Sequence, residues 1–283
     1  MTVLEAIQKS TDCLAKKGVD SPRLQSELLL AHVLKTQRLK LYLDFARALT
    51  EAETTALREL IQRRGNREPL QHILGTACFW GLDLAVNTSV LIPRPETELL
   101  AEQGWKFLNS LKRASTLLDF GTGSGCIAIT VCHFAKQSRG VALDKSAEAL
   151  AIAHANATKH SVTDRLQFVQ SDAFTAIPHD EQFDLIISNP PYIPAAEIDA
   201  LQEEVRQFDP RSALDGGQDG LHFYRILATE SPQYLATDGK LMVEFGDGQQ
   251  DPLRALFGAN GWNVEVILND LSGRPRILIA TRA

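Results

Sequence analysis

From residue 115 onward the chain is built from short apolar runs at near-regular intervals, most of them separated by stretches of helical periodicity. The runs fall at 116–120, 140–144, 166–170, 183–188, 240–245, 262–268 and 276–281, with helical stretches at 125–136, 146–160, 219–236 and 249–259. Strands that bury both faces read as continuous apolar segments, and helices between them cover the faces of a parallel sheet. Seven strands in this pattern predict an α/β fold, a mostly parallel, Rossmann-like sheet with helices on both sides.

The start of the chain follows different rules. Thr2-Val3-Leu4-Glu5 and Thr50-Glu51-Ala52-Glu53 are capping boxes, and Gly18 stops the helix that the first one opens. Ser21-Pro22 reads as a cap followed by proline at the first helical position, and Leu24, Leu28, Ala31, Val33 and Leu34 form an apolar stripe behind it. Residues 1–69 are expected to be a small all-α domain. In 70–92, Ile73, Phe79, Trp80, Leu82, Leu84, Val86 and Ile92 recur with glycines among them, which predicts a β-hairpin connector. Residues 93–283 are then the catalytic domain, opening with a helix over 95–112.

Asp119-Phe120-Gly121-Thr122-Gly123-Ser124-Gly125 ends the first strand of that domain and opens a helix. Glycines there let a ligand approach the backbone at the carboxyl edge of the sheet. The spacing is GxGxG rather than the GxGxxG of dinucleotide sites, and Cys126 stands where the third glycine would be. An acid beside the loop suits an ammonium better than a pyrophosphate. S-adenosylmethionine, which carries an ammonium and a sulfonium and no phosphate, fits that pattern. Asp144 at the end of the second strand is placed to accept the two ribose hydroxyls. Asp172, after the third strand, can receive the adenine amino group with Ala173 against the ring, or serve as a turn cap.

Ser188-Asn189-Pro190-Pro191-Tyr192 follows the fourth strand and is the most specific segment of the chain. An amide or aryl-amine nitrogen is a poor nucleophile because its lone pair is delocalised. The Asn189 side-chain oxygen and the Pro190 carbonyl can accept both of its hydrogens and orient it. Charge that develops on the nitrogen during transfer is stabilised by the same acceptors. The prolines restrict the loop and add no competing donors, and Tyr192 offers a flat face to a planar group. These residues predict catalysis by Asn189, Pro190 and Tyr192, substrate binding by Asn189, Pro190, Pro191 and Tyr192, and cofactor binding by Asp119, Gly121, Thr122, Gly123, Ser124, Gly125, Asp144, Asp172, Ala173 and Asn189.

The combination resembles the bacterial release factor glutamine methyltransferases, the HemK/PrmC family, over nearly the whole chain. The resemblance is carried by Arg67-Glu68-Pro69-Leu70-Gln71-His72-Ile73-Leu74-Gly75, by Leu91-Ile92-Pro93-Arg94-Pro95-Glu96-Thr97-Glu98, by the glycine loop, and by Asn189 to Tyr192. It continues in Asp215-Gly216-Gly217-Gln218-Asp219-Gly220-Leu221, Glu244-Phe245-Gly246 and Gly273-Arg274. It implies a helical N-terminal domain, a seven-strand class I methyltransferase domain, and methylation of the glutamine in the GGQ motif of class I release factors, with S-adenosylhomocysteine as the product. Gly216-Gly217-Gln218 happens to spell that tripeptide and is read as a loop of the enzyme. Arg94 and Glu96 fit either the rim of the site or the cap of the helix starting near Pro95.

Charge and composition bound the alternatives. Net charge is −6, with residues 1–73 at +3 and the remainder at −9. Enzymes that act on DNA adenine or rRNA guanine share asparagine–proline loops but grip phosphates, which calls for a basic face. No direct nucleic-acid partner is therefore expected; a ribosomal-protein glutamine methyltransferase is the nearer alternative. The positive start suggests that Arg58, Arg63, Arg64 and Arg67 face the release factor. Four cysteines without CxxC spacing argue against a metal and for a reducing, cytoplasmic setting. MTVLEAIQKS lacks the pattern of a signal peptide and no run approaches a membrane span. A monomer is expected.

Overall fold

The computed structural model describes residues 1–283, which divide into two compact units: 1–76 with 202–208, and 77–201 with 209–283. In the first unit, α1 (Val3–Lys16), α2 (Pro22–Val33), α3 (Glu51–Gly65) and α4 (Leu70–Leu74) are joined by a short helix from later in the chain, α8 (Glu203–Phe208). Val3, Ile7, Leu14, Leu29, Leu30, Leu41, Leu57, Ile61 and Ile73 make its core. Both capping boxes form, with Thr2 and Glu5 at the start of α1 and Thr50 and Glu53 at the start of α3.

The second helix departs from expectation. Ser21 sits in the left-handed region at φ 47° and makes no side-chain cap, so proline alone starts α2. The buried face comprises Ser26, Glu27, Leu29, Leu30 and Ala31, while Leu24 is exposed. Glu27 turns inward because Arg23, Arg38 and the Tyr42 hydroxyl all donate to its carboxylate.

The expected basic face is also altered. Arg63 pairs with Glu68, Arg67 donates to the Gly18 carbonyl, and Arg64 is buried at 5% exposure against Gln25 and Glu204. Glu204 accepts from Arg64 and Arg67 together. Three of the four arginines are thus spent inside their own unit, which removes the electrostatic reason for assigning them to a partner.

Residues 70–92 are not one hairpin. The stretch begins with α4, and the hairpin proper is β1 (Thr76–Phe79) and β2 (Leu82–Ala85). Trp80 and Gly81 take positive φ at its turn. The backbone N–H and indole N–H of Trp80 both donate to Glu98, and Asn156 exchanges hydrogen bonds with Ala85, which binds the hairpin to the second unit.

That unit runs α5 (Thr97–Ser110), β3 (Ser115–Phe120), α6 (Cys126–Phe134), β4 (Ser138–Asp144), α7 (Ala147–Lys159), β5 (Leu166–Gln170), β6 (Phe183–Ser188), α9 (His222–Glu230), β7 (Leu235–Glu244), α10 (Gln250–Ala259), β8 (Trp262–Asn269) and β9 (Pro275–Arg282). The seven-stranded sheet has the order β5-β4-β3-β6-β7-β9-β8. The first five strands pair in parallel; β9 pairs antiparallel with both β7 and β8. Leu117, Leu185 and Ile187 face one core layer with α5 and α6, and Leu118, Ile186 and Leu241 face the other with α9 and α10. The chain builds outward from β3 to β5, then returns to place β6 on the far side of β3. The connections leaving β3 and β6 therefore diverge, and a crevice opens at the carboxyl edge between them. No helix is long and apolar enough to cross a membrane.

Glu204→Ala would leave the buried Arg64 guanidinium without its carboxylate. Such a loss costs about 3–5 kcal/mol for a fully buried pair; the partial solvation of Glu204 places the expected value near about 2 kcal/mol. Urea denaturation, with hydrogen exchange followed on α3, measures it.

Candidate active site

A cavity of about 560 Å³ lies at that carboxyl edge. The glycine loop forms one wall. Gly121 and Thr122 both donate their backbone N–H to the Leu143 carbonyl, and Gly123 donates to the Asp144 carboxylate at 2.9 Å. Gly121 and Gly123 have positive φ, and a Cβ on either would meet no protein atom within 4 Å. Both therefore face open space, where a ligand can approach the backbone. Gly125 serves a different end: a Cβ there would come within 2.7 Å of Ile129 and 3.1 Å of Ala153, so its glycine permits close packing behind the loop.

Asp119 lies beneath the loop and does not line the cavity. One carboxylate oxygen accepts from the Thr122 hydroxyl at 2.7 Å and from the Ala128 backbone N–H at 3.1 Å; the other has no partner. Burial pushes this carboxyl up to about 7, and the Asp144 charge adds to the rise. Its place is that of a brace holding the loop from below.

Asp144 closes β4 with both oxygens engaged once, by Gly123 and by the Ser146 backbone N–H, and it lines the cavity. Each oxygen keeps a lone pair for a further donor. Asp172 and Ala173 also line the cavity. Asp172 is exposed and pairs with Lys145 at 2.8 Å; Ala173 holds φ 50°, in the left-handed region that residues other than glycine seldom adopt.

On the opposite wall β6 ends at Ser188, whose hydroxyl donates to the Phe120 carbonyl and ties the two diverging strand ends together. Asn189, Pro190 and Pro191 then enter the lining. The Asn189 amide nitrogen donates to the Thr97 hydroxyl at 2.9 Å, so its oxygen is the group left for an incoming N–H. Tyr192 does not line the cavity. Its ring packs on Gly246, its carbonyl accepts from Gln249 at 2.9 Å, and burial lifts its phenol to about 12. Tyr192 therefore anchors the loop rather than presenting a face to the cavity.

The anchor explains the glycines that follow. A Cβ on Gly216 would stand 2.8 Å from Tyr192 backbone atoms, and one on Gly220 would stand 2.4 Å from the Tyr192 carbonyl. Ile193 and Gly216 exchange backbone hydrogen bonds with this strap: Ile193 donates to Leu214 and accepts from Gly216. Gln218 is exposed and outside the lining.

Phe223 and His222, which carry no local sequence signal, enter the lining from α9, and Arg94 enters from the segment before α5. Arg94 donates at 2.6 Å to Asp209, whose second oxygen is buried without a partner. Glu96 is exposed at the start of α5 and makes no side-chain cap. Of the two roles open to the pair, Arg94 takes the rim.

The catalytic cavity, the glycine wall and the asparagine–proline loop agree with what the chain resembles elsewhere. Residues 5–75 match the PrmC N-terminal domain, and 97–208 match the methyltransferase small domain. A release factor glutamine methyltransferase from Geobacter sulfurreducens is 42% identical over 98% of this chain and 95% of its own. The chain belongs to the release factor glutamine methyltransferase family. A second member, from Chlorobaculum tepidum, is 43% identical over 94% of this chain and 92% of its own. A methyltransferase structure from Pyrococcus furiosus covers 71% of this chain and 89% of its own at 19% identity and a TM-score of 0.51, which speaks to the shared fold.

In this family member the buried Asp119 has a consequence for stability. Its carboxyl is held at about 7 against an ordinary 3.8, so the folded state prefers the proton. Stability from that preference is fully present below pH about 4 and is lost as pH rises through about 7. Asp119→Asn keeps an oxygen for Thr122 and Ala128 and removes the charge. The variant should match the parent in thermal melting near pH 4 and melt higher at pH 8, a difference on the order of a few kcal/mol.

Proposed function

We propose that this enzyme transfers a methyl group from S-adenosylmethionine to the side-chain amide nitrogen of the glutamine in the GGQ motif of class I release factors, in the cytoplasm and as a monomer. The single observation that carries the reading is the orientation of Asn189, whose nitrogen is bound to Thr97 and whose oxygen is left for substrate.

The lining fits the cofactor. Gly121 and Gly123 offer a wall that a methionine moiety can approach closely, Asp144 has free acceptor capacity for ribose hydroxyls, and Asp172, Ala173 and Phe223 supply a polar edge and flat apolar surface for a purine. When bound, S-adenosylmethionine supplies an electrophilic methyl on a sulfonium, a good leaving group. The protein's task is then to present the nucleophile. The Asn189 oxygen and the Pro190 carbonyl accept the two N–H hydrogens of the substrate amide and turn its lone pair toward the methyl. Both acceptors gain strength as positive charge grows on the nitrogen. The proton leaves after transfer, so no strong base is needed.

The substrate assignment is supported by the family and by the acidic balance of residues 74–283, at −9, which does not suit a phosphate grip. Enzyme, labelled S-adenosylmethionine and a class I release factor should give labelled factor. The label should vanish when the factor carries Gln→Ala in GGQ or the enzyme carries Asn189→Ala, the latter lowering kcat by about 10²–10³-fold. Label in rRNA or DNA instead would overturn the substrate. Asp144→Ala should weaken S-adenosylhomocysteine binding by about tenfold to a hundredfold in calorimetry, as expected for lost hydrogen bonds to a charged acceptor.

A further inference from the structure

We propose that Thr97 and Glu244 are positioning residues that hold the Asn189 side-chain amide with its nitrogen turned into the protein and its oxygen turned to the substrate. The inference rests on the reading that the Asn189 oxygen accepts from the substrate amide.

An asparagine amide is nearly symmetric in shape. Rotation by half a turn exchanges its acceptor for two donors. The rotated form would set N–H groups against the N–H groups of the glutamine to be methylated, and the lone pair would not be presented. Shape cannot select between the two forms, so hydrogen-bond polarity must.

The structure supplies that polarity from two distant elements. Asn189 donates from its nitrogen to the Thr97 hydroxyl oxygen at 2.9 Å. Thr97 is the first residue of α5 and is buried. The Thr97 hydroxyl and the Asn189 side chain both hydrogen-bond the Glu244 carboxyl at the end of β7. An ionised carboxylate only accepts. In its ionised form Glu244 is the terminal acceptor, so Thr97 donates to it and the Thr97 oxygen is left to accept only from a donor. The nitrogen of Asn189 is the donor that satisfies the chain, which leaves one orientation.

Glu244 has the marks of a residue kept for something other than stability. It is 2% exposed, its second oxygen has no partner, and no ion pair reaches it. Arg276, whose charge acts on it, is held by Asp270 and the Phe245 carbonyl. Burial lifts its carboxyl to about 7, with the Glu96 charge adding to the rise. An apolar side chain of similar size would avoid the desolvation cost of a buried acid. Its backbone is fixed as well, since the buried Tyr224 hydroxyl donates to the Glu244 carbonyl at 2.7 Å. The acid is thus presented to Thr97 and Asn189 from a rigid strand end.

The test compares full-length Thr97→Val, Thr97→Ser, Glu244→Leu and Asn189→Ala by steady-state kinetics on a release factor, by S-adenosylhomocysteine binding, by thermal melting, and by the side-chain amide resonances of asparagine in ¹⁵N-labelled enzyme. The Asn189 pair is the one missing from Asn189→Ala. Expected are a kcat loss of about tenfold to a hundredfold in Thr97→Val and Glu244→Leu, with KM for the factor and affinity for S-adenosylhomocysteine unchanged. Thr97→Ser should retain most of the rate. Glu244→Leu should melt no lower than the parent, a combination that a merely structural role would not produce. The Asn189 amide hydrogens should exchange slowly in the parent and fast in Thr97→Val. If Glu244→Leu does not fold, the Thr97→Val and Thr97→Ser pair decides alone. An inactive Asn189→Ala beside a fully active Thr97→Val overturns the positioning role and leaves the substrate reading intact. An active Asn189→Ala overturns both.

Discussion

Two parallel strands, β3 and β6, lie side by side while the chain leaves them in opposite directions across the sheet. Backbone hydrogen bonding holds the strand ends together, and the Ser188 hydroxyl adds a tie to Phe120 beyond the last ladder bond. Divergence after that point is unavoidable, because each strand must pass to a neighbour on its own side. The cavity is the space between the two departing segments. Its glycine wall and its asparagine–proline wall belong to the same constraint and cannot be moved independently.

Each wall is stiffened from behind by a carboxyl group that water does not reach. Asp119 holds the glycine loop through Thr122 and Ala128; Glu244 stands behind Thr97 and Asn189. Both acids sit at strand ends with one oxygen unpartnered, and both are driven toward neutrality by desolvation. Neither is an economical way to stabilise a fold. Their value is directional: once ionised, a carboxylate dictates which neighbours donate and so sets the sense of the hydrogen bonds in its chain.

Much of this was legible in the residue order. The strand–helix alternation, both threonine capping boxes, the glycine loop and the segment from Asn189 follow from local rules, because each depends on residues only a few positions apart. What escaped depends on distance. Glu27 looks like a surface acid until Arg38 and Tyr42 arrive from 11 and 15 residues away. Arg63, Arg64 and Arg67 look like a free basic face until Glu68 and, from the far half of the chain, Glu204 claim them. At the site, Thr97 and Glu244 are separated from Asn189 by about 92 and 55 positions of chain and meet it only through the sheet order. The flat ring of Tyr192 suggests a face for substrate, but Gly246 packs against that ring while Gly216 and Gly220 press on the Tyr192 backbone.

The same strap bears on self-recognition. This enzyme carries in its own loop the three letters it is proposed to modify in another protein. Gly216 is pressed against the Tyr192 backbone and hydrogen-bonded to Ile193, and Gly217 accepts from Ala195. A segment so fastened cannot thread its glutamine into a cavity a few residues away. The tripeptide becomes a substrate only on a tip that is free to extend, so discrimination between self and target is a matter of tethering and needs no difference in spelling.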